Sequence, residues 1–182
     1  MTATAKTPTV LGLPGSLRRE SYAKAVLAGL QAELAPAIHL EIGSIDLPLY
    51  NQDLDGHAPL PAVDAFRQAI AEAEAVVIVS PEYNYGMPGP LKNALDWASR
   101  PYGKAALIGK PTLVISSSPA FTGGVRAQEQ IHGTLLAIGA KLLGGPQIVI
   151  GAVADKVADG KLVDRASLDF ATAAVRRLVE IR

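Results

Sequence analysis

The chain has 182 residues, of which 49% are apolar and 19% charged, with 17 basic and 17 acidic side chains. A chain of this length forms one domain that buries about 70% of the surface its unfolded form exposes; its composition argues against disorder, and its zero net charge gives no general reason for nucleic acid or an anionic membrane as partner. It has no cysteine, which excludes disulfides, thiolate metal sites and a cysteine nucleophile and is compatible with a reducing cytoplasm.

The start, Met1 to Pro8, lacks a long apolar stretch, and no run approaches the roughly 18 apolar residues of a membrane span, so neither export nor spanning is indicated. Short apolar runs then alternate with amphipathic stretches, the pattern of βαβ units and a parallel sheet. Thr9 to Leu13 is the first predicted strand, and Pro14-Gly15-Ser16 turns the chain. A helix follows from about Ser21, with Tyr22, Val26, Leu30 and Leu34 as its buried stripe. Ile38 to Ile42 is a second strand, followed by a long irregular segment from Gly43 to Pro61. Irregular segments of that length are usually functional or act as lids. Val63, Phe66 and Ile70 then face one way on a helix. The third strand, Ala75 to Ser80, is apolar at nearly every position, as a strand covered on both faces must be. After the loop Pro81–Pro90, a helical pattern runs from Leu91 to Ser99, with Pro90 suited to its first turn. Pro111 to Ser117 is the fourth strand, and Ser118 to Gly124 the loop beyond it. Ile131, Leu135, Ile138 and Leu142 are expected on one helix, Gln147 to Ile150 as the fifth strand, and Ala166 to Arg182 as the closing helix. The pattern fits an α/β, flavodoxin-like, doubly wound five-stranded parallel sheet of order 2-1-3-4-5, with helices on both faces.

In that order the first, third and fourth strands are neighbours, so the loops at their carboxyl ends converge on one crevice at the switch point of the sheet. The first loop, Gly15-Ser16-Leu17-Arg18-Arg19-Glu20-Ser21, matches neither GxGxxG nor the Walker A pattern. Its glycine, hydroxyls and arginine precede a helix N-terminus, which attracts anions, and together suit a phosphate monoester. The alternative is an ordinary turn in which Ser21 is an N-cap and both arginines are solvated. The second loop, Pro81-Glu82-Tyr83-Asn84-Tyr85-Gly86-Met87, offers amide and backbone groups for the polar rim of an isoalloxazine. Tyr83 or Tyr85 is expected near the ring and Met87 beneath it; alternatively both tyrosines are packing residues and Glu82 is solvated. In the third loop, Gly123 and Gly124 permit close backbone approach, and Ser117 and Ser118 are placed to bond the ring edge. Gly-Gly is by itself more often a turn.

These segments resemble the NADPH-dependent FMN reductase family, the flavodoxin-like group that includes quinone, chromate and azo-dye reductases. The resemblance rests on Gly-Ser-Leu-Arg-x-x-Ser (15–21), Leu-Pro-Leu-Tyr-Asn-x-Asp (47–53), Pro-Glu-Tyr-Asn-Tyr-x-x-Pro-Gly-x-Leu-Lys-Asn-Ala-x-Asp-Trp (81–97) and Ser-Pro-x-x-x-Gly-Gly-x-Arg-Ala-Gln (118–128). It implies an FMN phosphate held by Ser16, Arg18 and Ser21. It implies a ring held by Pro81, Glu82, Tyr83 and Asn84 and flanked by Ser118, Gly123 and Gly124. It also implies NADPH or NADH as co-substrate, a homodimer or homotetramer, and hydride transfer through the flavin to quinones, azo compounds, metal oxyanions or free flavin. The chain departs from the family pattern in two places: Ala23 stands where asparagine is common, and Ser116-Ser117 where glycine and alanine are.

The flavin carries the chemistry, so no side chain is nominated as catalytic; Glu82 is expected to contact the nicotinamide nucleotide or the acceptor. His39, His57 and His132 are scattered, and no metal is predicted. Trp97 reads as core or subunit-contact packing, and Asp155 to Lys161 as a solvated turn. The competing reading is a flavodoxin-type electron carrier, against which the equal charges speak. A third is a fold relative that has lost its cofactor and serves as an interaction module.

Overall fold

The computed structural model describes residues 6–181. In chain order the elements are β1 (Thr9–Pro14), α1 (Tyr22–Leu34), β2 (His39–Ile42), α2 (Pro61–Glu72), β3 (Ala75–Ser80) and α3 (Gly89–Ala98). They continue with β4 (Pro111–Ser117), α4 (Val125–Ile138), β5 (Lys141–Leu142), β6 (Ile148–Ile150), β7 (Val157–Ala158), β8 (Lys161–Leu162) and α5 (Arg165–Glu180). Single 3-10 turns lie at Gln52–Leu54 and Val153–Lys156.

The main sheet is parallel in the order β2-β1-β3-β4, and β5 and β6 share the fifth position, both pairing with β4. The expected order 2-1-3-4-5 is therefore borne out, with its last strand divided in two. Across the centre of the sheet Gly12 pairs with Val77 and Val77 with Leu113, and Ser80 pairs with Ser116 at the carboxyl end.

Side chains alternate along a strand, and that alternation builds two cores. Val10, Val77, Val79, Leu113 and Ile115 pack against the buried stripes of α1 and α5. Leu11, Leu13, Val76, Ile78 and Val114 pack against α2, α3 and α4. The unbroken apolar run of β3 follows from being buried on both faces. Helix boundaries follow local chemistry. Pro61 and Pro90 lie in the first turns of α2 and α3, where a missing N–H costs nothing. Asp164 caps α5 by accepting from the Ser167 N–H at 2.9 Å.

Leu142 is a correction. It sits in β5, not on the helix with Ile131, Leu135 and Ile138, because Gly139 ends α4 in a left-handed conformation (φ 93°). The closing helix runs from Arg165 to Glu180, and Arg182 lies outside the described residues. The predicted turn around Gly160 is a small antiparallel hairpin, β7–β8. This hairpin lies on α1 at Gly29, where a β-carbon would stand 2.7 Å from the Leu162 carbonyl oxygen.

Trp97 resolves to core packing. It is fully buried on α3, its indole N–H donates to the Pro48 carbonyl at 2.8 Å, and the Arg67 guanidinium lies 5.5 Å from its ring centroid. Among the described residues no helix is long and apolar enough to cross a membrane, and no three His, Asp or Glu side chains group as a metal site.

Candidate active site

The loops after β1, β3 and β4 meet at the carboxyl edge of the sheet. In the first, the Gly15 N–H donates to the Val79 carbonyl at 2.7 Å and draws the turn against β3. Ser16 is buried; its hydroxyl accepts from the Arg18 N–H at 3.3 Å and pairs with the Tyr83 hydroxyl at 3.1 Å. That second bond joins the first loop to the second. The Arg18 guanidinium donates to the Glu20 carbonyl at 2.5 Å and lies 5.4 Å from the Tyr22 ring centroid.

Ser21 occupies the N-cap position of α1 in extended backbone, yet its hydroxyl makes no capping bond, and the first turn holds no acidic residue. The amides that begin α1 consequently have no side-chain acceptor. A helix N-terminus left uncapped in this way, with arginine and serine beside it, suits an anion. The loop is flanked by a groove of about 710 Å³ lined by Arg18, Ser21, Tyr22 and Lys24, and by a recess of about 320 Å³ between Ser16, Leu17 and Asp46.

The second loop is a two-residue hairpin. Tyr83 and Gly86 exchange both N–H to carbonyl bonds at 3.0 Å, and Asn84 and Tyr85 between them have φ of 50° and 63°. Left-handed backbone at both central positions is the primed turn that matches strand twist, but it usually takes glycine second. Here a tyrosine stands in that place, with the Arg126 guanidinium 4.4 Å from its ring centroid. Met87 packs on the core beside α3, so the placement of this side chain beneath a ring is not what its contacts show. Its N–H donates to the Gln130 side-chain carbonyl at 2.9 Å. Glu82 is not free in solvent: one carboxylate oxygen accepts from the Arg126 and Ala127 N–H groups at 3.0 and 3.3 Å.

In the third loop the Ser118 N–H donates to the Ile150 carbonyl, and the Ser118 hydroxyl accepts from the Ala120 N–H at 3.1 Å. Gly123 and Gly124 both have left-handed backbone (φ 62° and 89°), and both are buried. The space beside Gly124 is filled by Ser116 and Glu82, which brings this loop against the second. Ser117 is a correction. Its hydroxyl and that of Ser116 are enclosed by protein and have no hydrogen-bond partner, so Ser117 does not reach a ring edge.

The three predicted loops thus share one edge, and every predicted site residue lies on them. Sequence reasoning assigned no role to three residues that fasten them: Arg126, Gln128 and Gln130. Gln128 is fully buried and donates to the Val114 and Ile148 carbonyls at 2.9 and 3.3 Å, bolting α4 to β4 and β6. Arg126 and Gln128 fall inside the matched string 118–128, which was the available signal.

A doubly wound parallel sheet of this order, with three loops gathered at its switch point, is a flavodoxin-like architecture. Residues 8–155 match the family described as NADPH-dependent FMN reductase, and the chain belongs to that family. It is 45% identical over 154 residues to a quinone reductase of Pseudomonas putida, covering 83% of this chain and 82% of that one. It is also 45% identical over 140 residues to a 2-hydroxy-1,4-benzoquinone reductase of a Burkholderia species, covering 75% and 74%. Among solved structures, FerB, a flavoenzyme NAD(P)H:(acceptor) oxidoreductase from Paracoccus denitrificans, superposes with a TM-score of 0.84 at 36% identity, covering 96% of each chain. The protein is an oxidoreductase that uses FMN and NAD(P)H.

Proposed function

We propose that residues 1–182 form one FMN-binding domain that oxidises NADPH or NADH and reduces small quinones. The observation that carries this reading is the start of α1, left without a side-chain cap or an acid, with Ser16, Arg18 and Ser21 gathered around it. This donor set fits a phosphate monoester: two hydroxyls, a guanidinium and free helix amides.

Pro81, Glu82, Tyr83 and Asn84 would border the ring through their backbone and the Asn84 amide. Ser118, Gly123 and Gly124 would close its other side. The Tyr83 hydroxyl, now on Ser16, would span the stem between phosphate and ring. Bound FMN supplies the hydride and electron chemistry, so this chain's own task is to bind, orient and hold the site's shape. Quinones are favoured as acceptors by the names of the relatives; azo compounds, metal oxyanions and free flavin are other acceptors an open ring face admits.

A cytoplasmic homodimer or homotetramer completes the proposal. Tyr102 and Ile108 are exposed and line one recess together with Ile138, an apolar surface suited to a second copy. Equal acid and base counts disfavour the electron-carrier reading, since carriers commonly dock through an acidic face.

Steady-state oxidation of NADPH and of NADH by the purified, FMN-loaded protein, with quinones and no partner protein, tests the proposal. Turnover with quinones supports it. A protein that binds FMN yet oxidises neither nucleotide is a carrier, and one that stays colourless after FMN soaking has lost the cofactor.

A further inference from the structure

We infer that the Glu82 carboxylate is a positioning residue that sets the separation of the second and third loops, and does not itself touch flavin, nicotinamide or acceptor. The inference rests on the proposed placement of FMN between those loops.

Helix α4 is 14 residues long and begins after Gly124, which has left-handed backbone and no side chain with which to cap it. The first amides of a helix need acceptors from outside. Glu82, 44 residues earlier in sequence, supplies one: its Oε2 accepts from the N–H groups of Arg126 and Ala127. These are the second and third helical positions, the same amides that an ordinary serine or aspartate N-cap would take. The carboxylate charge also meets the positive end of the helix dipole. Its other oxygen receives the Arg126 guanidinium at 3.4 Å, and the Glu82 side chain is only 11% exposed.

Gly124 and Glu82 are coupled choices. A β-carbon at 124 would stand 3.3 Å from the Ser116 β-carbon, 3.4 Å from the Glu82 β-carbon and 3.6 Å from the Glu82 nitrogen. A capping side chain at 124 would be strained by the left-handed backbone (φ 89°) and pressed on the Ser116 β-carbon, while toward Glu82 it would only meet ordinary packing contact. With glycine there, the distant carboxylate takes the place of the missing cap. Arg126 extends the arrangement, one N–H donating to Glu82 and its guanidinium over the Tyr85 ring. Gln130 holds the far end of the hairpin through the Met87 N–H. The backbone bearing Tyr83 and Asn84 is thus fixed to α4, and both Glu82 oxygens are committed to that task.

The test compares Glu82→Ala, Glu82→Gln and Glu82→Asp with Asp164→Ala, which removes the N-cap of α5, an element packed on the opposite face of the sheet from α4. FMN dissociation constants are measured by quenching of flavin fluorescence, visible circular dichroism reports the ring environment, and KM for NADPH is measured on loaded protein. Glu82→Ala is expected to weaken FMN about tenfold or more and to alter the dichroism. Glu82→Gln keeps an acceptor oxygen and should recover most of that loss, with KM for NADPH unchanged. Asp164→Ala should lower the melting temperature and leave FMN affinity intact.

Should Glu82→Ala fail to fold, the shorter Glu82→Asp, which cannot span the same gap, is expected to bind FMN more weakly than Glu82→Gln does. The inference is overturned by wild-type FMN affinity and dichroism in Glu82→Ala or Glu82→Asp. It is equally overturned by a raised NADPH KM in Glu82→Gln, or by an FMN loss in Asp164→Ala as large as in Glu82→Ala. Wild-type protein that does not quench FMN at all removes the placement of the flavin itself, a separate failure.

Discussion

Ser117 holds a hydroxyl that folding removes from water and gives no partner. A buried, unpaired polar group of this kind costs about 1–3 kcal/mol. Ser117→Ala deletes the group and leaves nearly the same shape. It is expected to stabilise the protein by about 1 kcal/mol, or to raise the melting temperature by roughly 2–4 °C. Thermal unfolding of the two proteins checks this, and a lower melting temperature in the variant would show that the hydroxyl has a partner. The sequence marked Ser116-Ser117 as a departure but not its consequence, because strand pattern says which face a side chain takes and not whether its hydroxyl finds an acceptor. Arg18 was more legible. Its place before a helix is visible in the string Gly-Ser-Leu-Arg, whereas its present bond to the Glu20 carbonyl is not.

At the scale of elements, the segment from 43 to 61 was read as functional or a lid, and its attachments make it a fixed ledge on α3. Asn93 accepts from the Tyr50 N–H at 2.7 Å and donates to the Pro48 and Leu47 carbonyls at 3.0 and 3.4 Å. Arg100 donates to the Tyr50 hydroxyl, and Arg67 pairs with Asp55 at 2.9 Å. Asn93→Ala removes three bonds at once. It is expected to destabilise the protein by about 2–3 kcal/mol and to open the segment to proteolysis. Denaturant unfolding and limited digestion, with cleavage mapped by mass spectrometry, test the two parts. The central strand was legible because five apolar residues in a row, Ala75 to Val79, leave little alternative. The fifth position was not: pieces of two and three residues are too short for a hydrophobic period. Leu142 continued the helical spacing until Gly139 interrupted it.

For the molecule as a whole, acid sensitivity can be assigned a sign. Burial pushes the pKa of His132, on α4, below its ordinary value of 6.5. The unfolded chain then binds a proton more readily than the folded one. This histidine's share of stability is present above pH 6.5 and is lost as the pH falls through its folded value. The melting temperature is expected to fall on acidification below that point, and less steeply in His132→Gln. Equal slopes for the two proteins would assign the loss to other groups. That the three loops share an edge followed from strand order alone; the means of joining them did not. A hydroxyl pair, a carboxylate capping a helix 44 residues away and a buried glutamine are each pairwise facts of packing.

The missing methyl of Gly29 has a practical meaning for where this protein can be cut. Alanine favours helices over glycine by about 1 kcal/mol, so a designer working from propensity alone would substitute it. The Leu162 carbonyl leaves no room, and Gly29→Ala should lower stability, as read by its unfolding midpoint, by lifting the β7–β8 hairpin off α1. The hairpin and α5 lie past residue 155, where the family match stops, yet with α1 they complete the cover of one side of the sheet through Leu162, Leu168, Val175 and Leu178. A fragment trimmed to the matched region should therefore aggregate when expressed, however complete its ligand-facing loops.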